Sequence, residues 1–178
     1  KGEVVNIDGK VLRGSKGVST GAVHIVTAWS GANAISLGQL RVDAKSNEGK
    51  VIPKLLRMLF LEGCIVTIDA AGCQPLIAQA IRDKGADYVL CAKANQPKLL
   101  DAIERSFALK PVAQAWEETD ADHGRITTRT CSVIDDLGLV PDTDKWPGLR
   151  TLVRVDSHTY HKATGHKATI CRYYISSL

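Results

Sequence analysis

The chain has 178 residues, 44% hydrophobic and 24% charged, with a formal net charge of +4. That is the composition of one globular domain able to bury a single core, not of a disordered or disulfide-stapled chain. No apolar run approaches the ~20 residues of a membrane helix, and Glu3, Asp8 and Lys10 interrupt the N-terminus too early for a signal peptide; a cytoplasmic protein with no membrane partner is expected.

The first run, Val4-Val5-Asn6-Ile7-Asp8, is rich in β-branched residues and ends on an aspartate before Gly9, which predicts a buried strand running into a turn. A glycine-rich turn follows at Arg13-Gly14-Ser15-Lys16-Gly17. Thr20–Ser30 reads as a second strand and Ala34–Val42 as a third, joined by the short Ser30-Gly31-Ala32-Asn33 turn typical of antiparallel neighbours. Asn47 or Ser46 then caps a helix with Glu48 in its first turn and Val51, Ile52, Leu55, Leu56 and Leu59 at helical spacing. Pro53 lies near its start and Gly63 ends it. Cys64–Ile68 is a fourth strand running into Asp69, Pro75 opens a second helix stopped by Gly85, Tyr88–Ala92 is a fifth strand, and Gln96-Pro97 begins a third helix.

The order β-β-β-α-β-α-β-α, three antiparallel strands and then α/β alternation, is that of an α/β ribonuclease-H-like mixed sheet; uniform Rossmann alternation would lack the opening meander. From Pro111 the pattern changes to short alternating segments around Trp116, Ile126, Val133, Val153, Val155 and Ile170–Ile175. A core over residues 1–110 with a β-rich insertion over 111–178 is therefore expected. Glu117, Glu118, Asp120, Asp122, Asp135, Asp136, Asp142 and Asp144 form an acidic belt. From Lys145 onward the local balance is +5, which suits a polyanion as well as a plain solvated surface. Five scattered cysteines without a C-x-x-C are expected to be buried reduced thiols. His158, His161 and His166 have no regular metal-ligand spacing.

Asp8 and Asp69 carry the chemistry. If the first and fourth strands are parallel neighbours, the two carboxylates stand side by side at one end of the sheet. Like charges there need a cation between them, and Mg²⁺ or Mn²⁺ is the usual one. An aspartate at a strand end is also a common turn or cap residue.

Several strings then fall in series: Ile7-Asp8-Gly9-Lys10-Val11-Leu12-Arg13-Gly14-Ser15, Val42-Asp43-Ala44-Lys45-Ser46-Asn47-Glu48, Thr67-Ile68-Asp69-Ala70-Ala71-Gly72-Cys73-Gln74, Lys93-Ala94-Asn95-Gln96, His123-Gly124-Arg125-Ile126 and Arg172-Tyr173-Tyr174-Ile175-Ser176-Ser177-Leu178. Across nearly its whole length the chain resembles the bacterial H-repeat-associated insertion-sequence transposases, a branch of the DDE transposases. The resemblance implies a ribonuclease-H-like core, a two-metal site for Mg²⁺ or Mn²⁺, DNA as partner at element ends and target, and a homodimer for the complete protein. It makes Asp8 and Asp69 the first two acids of a triad and their metal ligands. The third, a glutamate in a tryptophan-x-isoleucine-glutamate string on a helix, is expected beyond Leu178, and a small domain upstream of Lys1. A core fragment without nuclease activity of its own is therefore expected. Thr127 stands where the family commonly has glutamate.

Lys10, Arg13 and Lys16 on the glycine-rich turn, Lys93 and Asn95 after the fifth strand, and Arg125 and Arg129 in the β-rich region are the candidate DNA contacts, with ordinary solvated or capping roles as their alternatives. Asp43 and Glu48 fit helix-start electrostatics better than catalysis. The rival activities are another ribonuclease-H-like nuclease, such as a resolvase, and a catalytically inactive DNA-binding remnant of a transposase.

Overall fold

A computed structural model describes residues 2–13, 15, 22–43 and 47–178. The meander is β1 (Val4–Val11), β2 (His24–Ser30) and β3 (Ile35–Val42). Then come α1 (Glu48–Met58), β4 (Ile65–Ile68), a 3-10 turn at Ala70–Gly72, α2 (Pro75–Arg82), β5 (Asp87–Ala92) and α3 (Pro97–Leu109). This is the order read from the sequence. β6 (Gln114–Asp122), β7 (Arg125–Ile134), β8 (Thr151–His161) and β9 (Lys167–Ser176) complete a single sheet in the order β3-β2-β1-β4-β5-β9-β8-β7-β6. Only β1–β4 and β4–β5 are parallel. The sheet continues across Pro111, because β9 returns to pair with β5.

Strand alternation separates two faces. Val5, Ile7, Val26, Ala28, Val66, Ile68, Tyr88, Leu90, Leu152 and Ile175 point to one, where they pack on Val51, Ile52, Leu55 and Leu56 of α1, Ile77 and Ile81 of α2, and Leu99 and Ile103 of α3. Leu55 and Leu56 are fully buried, so truncating either to alanine costs about 2–5 kcal/mol. The other face carries Asn6, Asp8, Thr67, Val89, Cys91, Val133, Val153 and Tyr174. Among the described residues no helix packs against it.

Local chemistry sets the boundaries. Asn47 caps α1, its side chain accepting from the Lys50 N–H at 3.2 Å; Ser46, the other candidate cap, lies outside the described residues. Because α1 already starts at Glu48, Pro53 falls in its second turn and leaves the Gly49 carbonyl without its helical donor. The helix stops at Met58, before Gly63. At the β6–β7 turn His123 and Gly124 have φ of 46° and 72°, the paired positive values of the tight hairpin turn that glycine favours.

Two expectations change in three dimensions. The basic C-terminal segment is not a separate patch: β8 and β9 lie beside β7 and then acidic β6, and Arg154 pairs with Asp156 at 2.8 Å. All five cysteines are free, but only Cys73 and Cys91 are buried; Cys171, in the first half of β9, is exposed.

Candidate active site

β1 and β4 run parallel in register, Asn6 beside Thr67 and Ile7 beside Ile68. The next residue in each is the aspartate. Asp8 continues β1 on the face of Asn6, and Asp69 leaves β4 in extended conformation, with φ −67° and ψ −177°. Adjacent strands are about 4.8 Å apart, so the two aspartates, both exposed, follow on neighbouring strands where the parallel ladder ends. The Thr67 hydroxyl donates to Asn6 Oδ1 at 2.6 Å one step behind them and ties the two strands together on this face.

The Asp69 side chain is held by a cap bond, and the strand under Asp8 is braced from the other face. Asp69 Oδ1 accepts the Ala71 N–H at 3.0 Å, capping the 3-10 turn, so the bland role of a strand-end aspartate is filled with one oxygen while Oδ2 takes no part in that bond. Beneath Asp8 the chain passes Gly9, where a Cβ would lie 1.9 Å from Glu48 Oε1. Glyine there lets the Glu48 carboxylate lie against the β1 backbone, and His24 Nε2 holds it at 2.6 Å. Glu48 thus occupies the first turn of α1, as its position predicts, and also braces the strand that carries Asp8.

The acid row continues across the sheet. Ile68 pairs with Leu90, so Asp69 is followed by Cys91 on β5, and Cys91 pairs with Tyr174 on β9. A cavity of about 410 Å³ opens there, lined by Thr67, Asp69, Cys91, Lys93, Arg172 and Tyr174 among others. Burial pushes the Cys91 thiol up; Lys93 and Arg172 pull the other way and Asp69 adds to the rise. Burial also raises Tyr174. A larger apolar cavity of about 620 Å³ adjoins it through Val89 and Tyr174, lined by Trp116, Val133, Val153, Val155 and Leu178.

The predicted DNA contacts separate into two groups. Lys10 lies two residues beyond Asp8 on the same face, Arg13 is exposed just after β1, and Lys93 lines the acid cavity; Lys16 lies outside the described residues. Asn95 follows β5, but its amide donates to the Ala70 carbonyl at 2.7 Å and, with Gln96 donating to Cys73 O at 3.0 Å, ties the β5–α3 loop to the turn after Asp69. Arg125 and Arg129 share the face of the acids but stand far along β7, opposite Asp122 and Glu118 of β6. Arg129 is four residues from Val133, the β7 member of the acid row, or about 13 Å along the strand. The pair forms no part of the acid cavity.

Sequence reasoning passed over Tyr174 and Arg172 as site residues. Their signal was the two-residue alternation Arg172-x-Tyr174, which puts both on one face once β9 is known to pair with β5. The adjoining Ser177 is structural: its hydroxyl accepts the Tyr88 N–H at 2.9 Å and donates to Asp87 at 2.8 Å, locking the end of β9 to the start of β5.

The transposase DDE domain family matches residues 1–170. A protein of Escherichia coli O157:H7 named "Putative transposase YncI" is 40% identical over 99% of this chain and 47% of its own length. One of Escherichia coli strain K12 named "H repeat-associated putative transposase YhhI" is 38% identical over 98% of this chain and 49% of its own. The chain thus spans about half the length of these curated relatives. Among solved structures, a piggyBac transposase synaptic complex with hairpin DNA superposes with a TM-score of 0.48 at 12% identity, over 99% of this chain and 33% of that one.

Proposed function

The chain belongs to the transposase DDE domain family, and from that premise we propose that Asp8 and Asp69 are two of the acids with which the parent protein cuts and joins DNA strands. The observation that supports this reading is that Asp8 and Asp69 each directly follow Ile7 and Ile68, the last in-register pair of the parallel β1–β4 ladder, on neighbouring strands.

DDE domains work with divalent metal ions, and the donor set fits: carboxylate oxygens on two fixed strands are what hard cations prefer. Two carboxylates are too few, however, and among the described residues there is no group of three or more metal-ligating side chains. Asp8 and Asp69 would hold Mg²⁺ or Mn²⁺ weakly here, and a third acid would complete a two-metal site. Bound metal would supply charge neutralisation at the attacking and leaving oxygens of an in-line displacement.

The chain's own residues do the positioning. Capping orders the Asp69 side chain before DNA arrives, and the Gly9–Glu48–His24 contact braces the strand that carries Asp8. Lys10 and Lys93 supply cations for the backbone phosphates on either side of the pair. The apolar surface formed by Val89, Val133, Val153 and Val155 beside the acid cavity is the natural packing place for an additional helix, and a helix there brings a third carboxylate to the pair.

The test is strand cleavage of element-end DNA in Mg²⁺. The 178-residue chain is expected to show no appreciable cleavage, and a longer version that includes the family's tryptophan-x-isoleucine-glutamate helix is expected to cleave. Asp8→Asn and Asp69→Asn should each abolish that activity. Cleavage that survives Asp8→Asn would remove the acid pair from the mechanism.

A further inference from the structure

We propose that Lys93 and Arg172 form a two-cation seat for one backbone phosphate of the DNA strand that reaches the acid pair; this rests on the DNA reading above and adds the residue pair that grips the strand. Ala92 and Tyr173 are the last ladder partners of β5 and β9, so Lys93 and Arg172 are opposite each other one step on. By strand alternation they share the face of Cys91 and Tyr174, and hence of Asp8 and Asp69. Two residues along β5 from Cys91 is about 6.6 Å, so the cations stand one row beyond the acids.

Three observations make this more than a solvated edge. First, like charges directly opposite each other destabilise a sheet, and an anion between them removes the penalty. Second, neither cation is in an ion pair among the described residues, although the chain pairs Arg82, Lys110, Lys145 and Arg154 with acids elsewhere. Third, two cavities meet at these side chains: the acid cavity of about 410 Å³, and one of about 280 Å³ on the other side, which Cys91, Lys93 and Arg172 line as well. Asp69 lines the first cavity and Glu104 the second, and neither is ion-paired with Lys93 or Arg172 among the described residues. A phosphodiester oxygen pair suits this seat, since guanidinium offers a planar fork and ammonium a compact charge.

The experiment measures binding of the 178-residue chain to a short labelled duplex of arbitrary sequence, in chelator, over a series of salt concentrations. Each phosphate contact removed lowers the slope of log K against log salt by about 0.9. Because the two cations share one phosphate, the double variant should show that fall once, Lys93→Ala and Arg172→Ala each no more than it, and Lys54→Ala, exposed on α1, none; a fall twice as large in the double variant would mean two separate phosphates and overturn the shared seat. Arg172→Lys should keep the slope and weaken binding, having the charge without the fork. The loss should be equal for unrelated sequences, because phosphate contacts carry no sequence information. An unchanged slope in the double variant, or an equal fall with Lys54→Ala, overturns the seat. Mn²⁺ titration of the same variants separates this from the acid-pair reading: loss of both cations removes repulsion and should tighten Mn²⁺ binding at Asp8 and Asp69. If wild-type chain binds no Mn²⁺, the acid pair fails while the slope still decides the seat.

Discussion

Asp69 caps the turn after β4, and substitution can separate that role from the metal-ligand role proposed for it. As a cap it needs one oxygen acceptor, which asparagine supplies equally well; as a metal ligand it needs negative charge. Asp69→Asn is therefore expected to leave unfolding free energy within about 0.5 kcal/mol of wild type, and Asp69→Ala to cost about 1 kcal/mol, both read from denaturant titrations. Gly9 presents a different constraint. A methyl group there meets the end of the Glu48 side chain, which can swing away only by leaving His24. Gly9→Ala should destabilise by about 1 kcal/mol, roughly the net worth of one hydrogen bond. The cost should shrink in a Glu48→Ala background, a coupling that a double-mutant cycle measures. Cys73 links the fold to pH. Burial, with the neighbouring Cys91 adding to it, pushes its thiol from 9.0 up to about 12. Above pH 9 the unfolded chain loses this proton while the folded chain keeps it, so stability should fall as pH rises from about 9 towards 12. Cys73→Ser should flatten that part of the profile.

At the scale of elements, the most legible parts of the sequence were those whose information is local. β1 and β4 were readable because β-branched runs end on turn residues, and α1 because Asn47 and Glu48 mark its start. Asp69 was readable for the same reason, since it follows β4 directly; the turn expected after Asp8 does not form, because β1 runs on through Gly9 to Val11 in its pairing with β2. The surroundings were not. His123, Arg125 and Arg129 read as a polar cluster in one dimension; register sets Asp122 and Glu118 opposite the two arginines, and the strand carries them away from the acids. Arg172 and Tyr174 join the site only because β9 runs back against β5, a pairing between residues more than 80 apart in sequence. Such long-range pairing leaves no local mark. The same topology predicts dynamics. β6 is an edge strand with every residue exposed, whereas β4 is flanked by β1 and β5 and packed on α1 and α2. Hydrogen exchange should be fastest in the β6–β7 hairpin and slowest in β4 and β5; equal protection in β6 would mean that something covers that edge.

Across the whole molecule, the sheet has one face packed on helices and one that carries the proposed site. Three helices bury the first. The second sets two carboxylates, two cations and an apolar cavity in neighbouring rows of five strands, from β1 to β8. The most direct test of that arrangement is Mn²⁺ titration followed by paramagnetic broadening of assigned backbone amide resonances. The account predicts weak binding that first broadens Asp8, Asp69 and Cys91, and that disappears in Asp8→Asn with the fold unchanged. Broadening centred elsewhere, as on the neighbouring rings of His161 and His166, or an undiminished effect in Asp8→Asn, would contradict it.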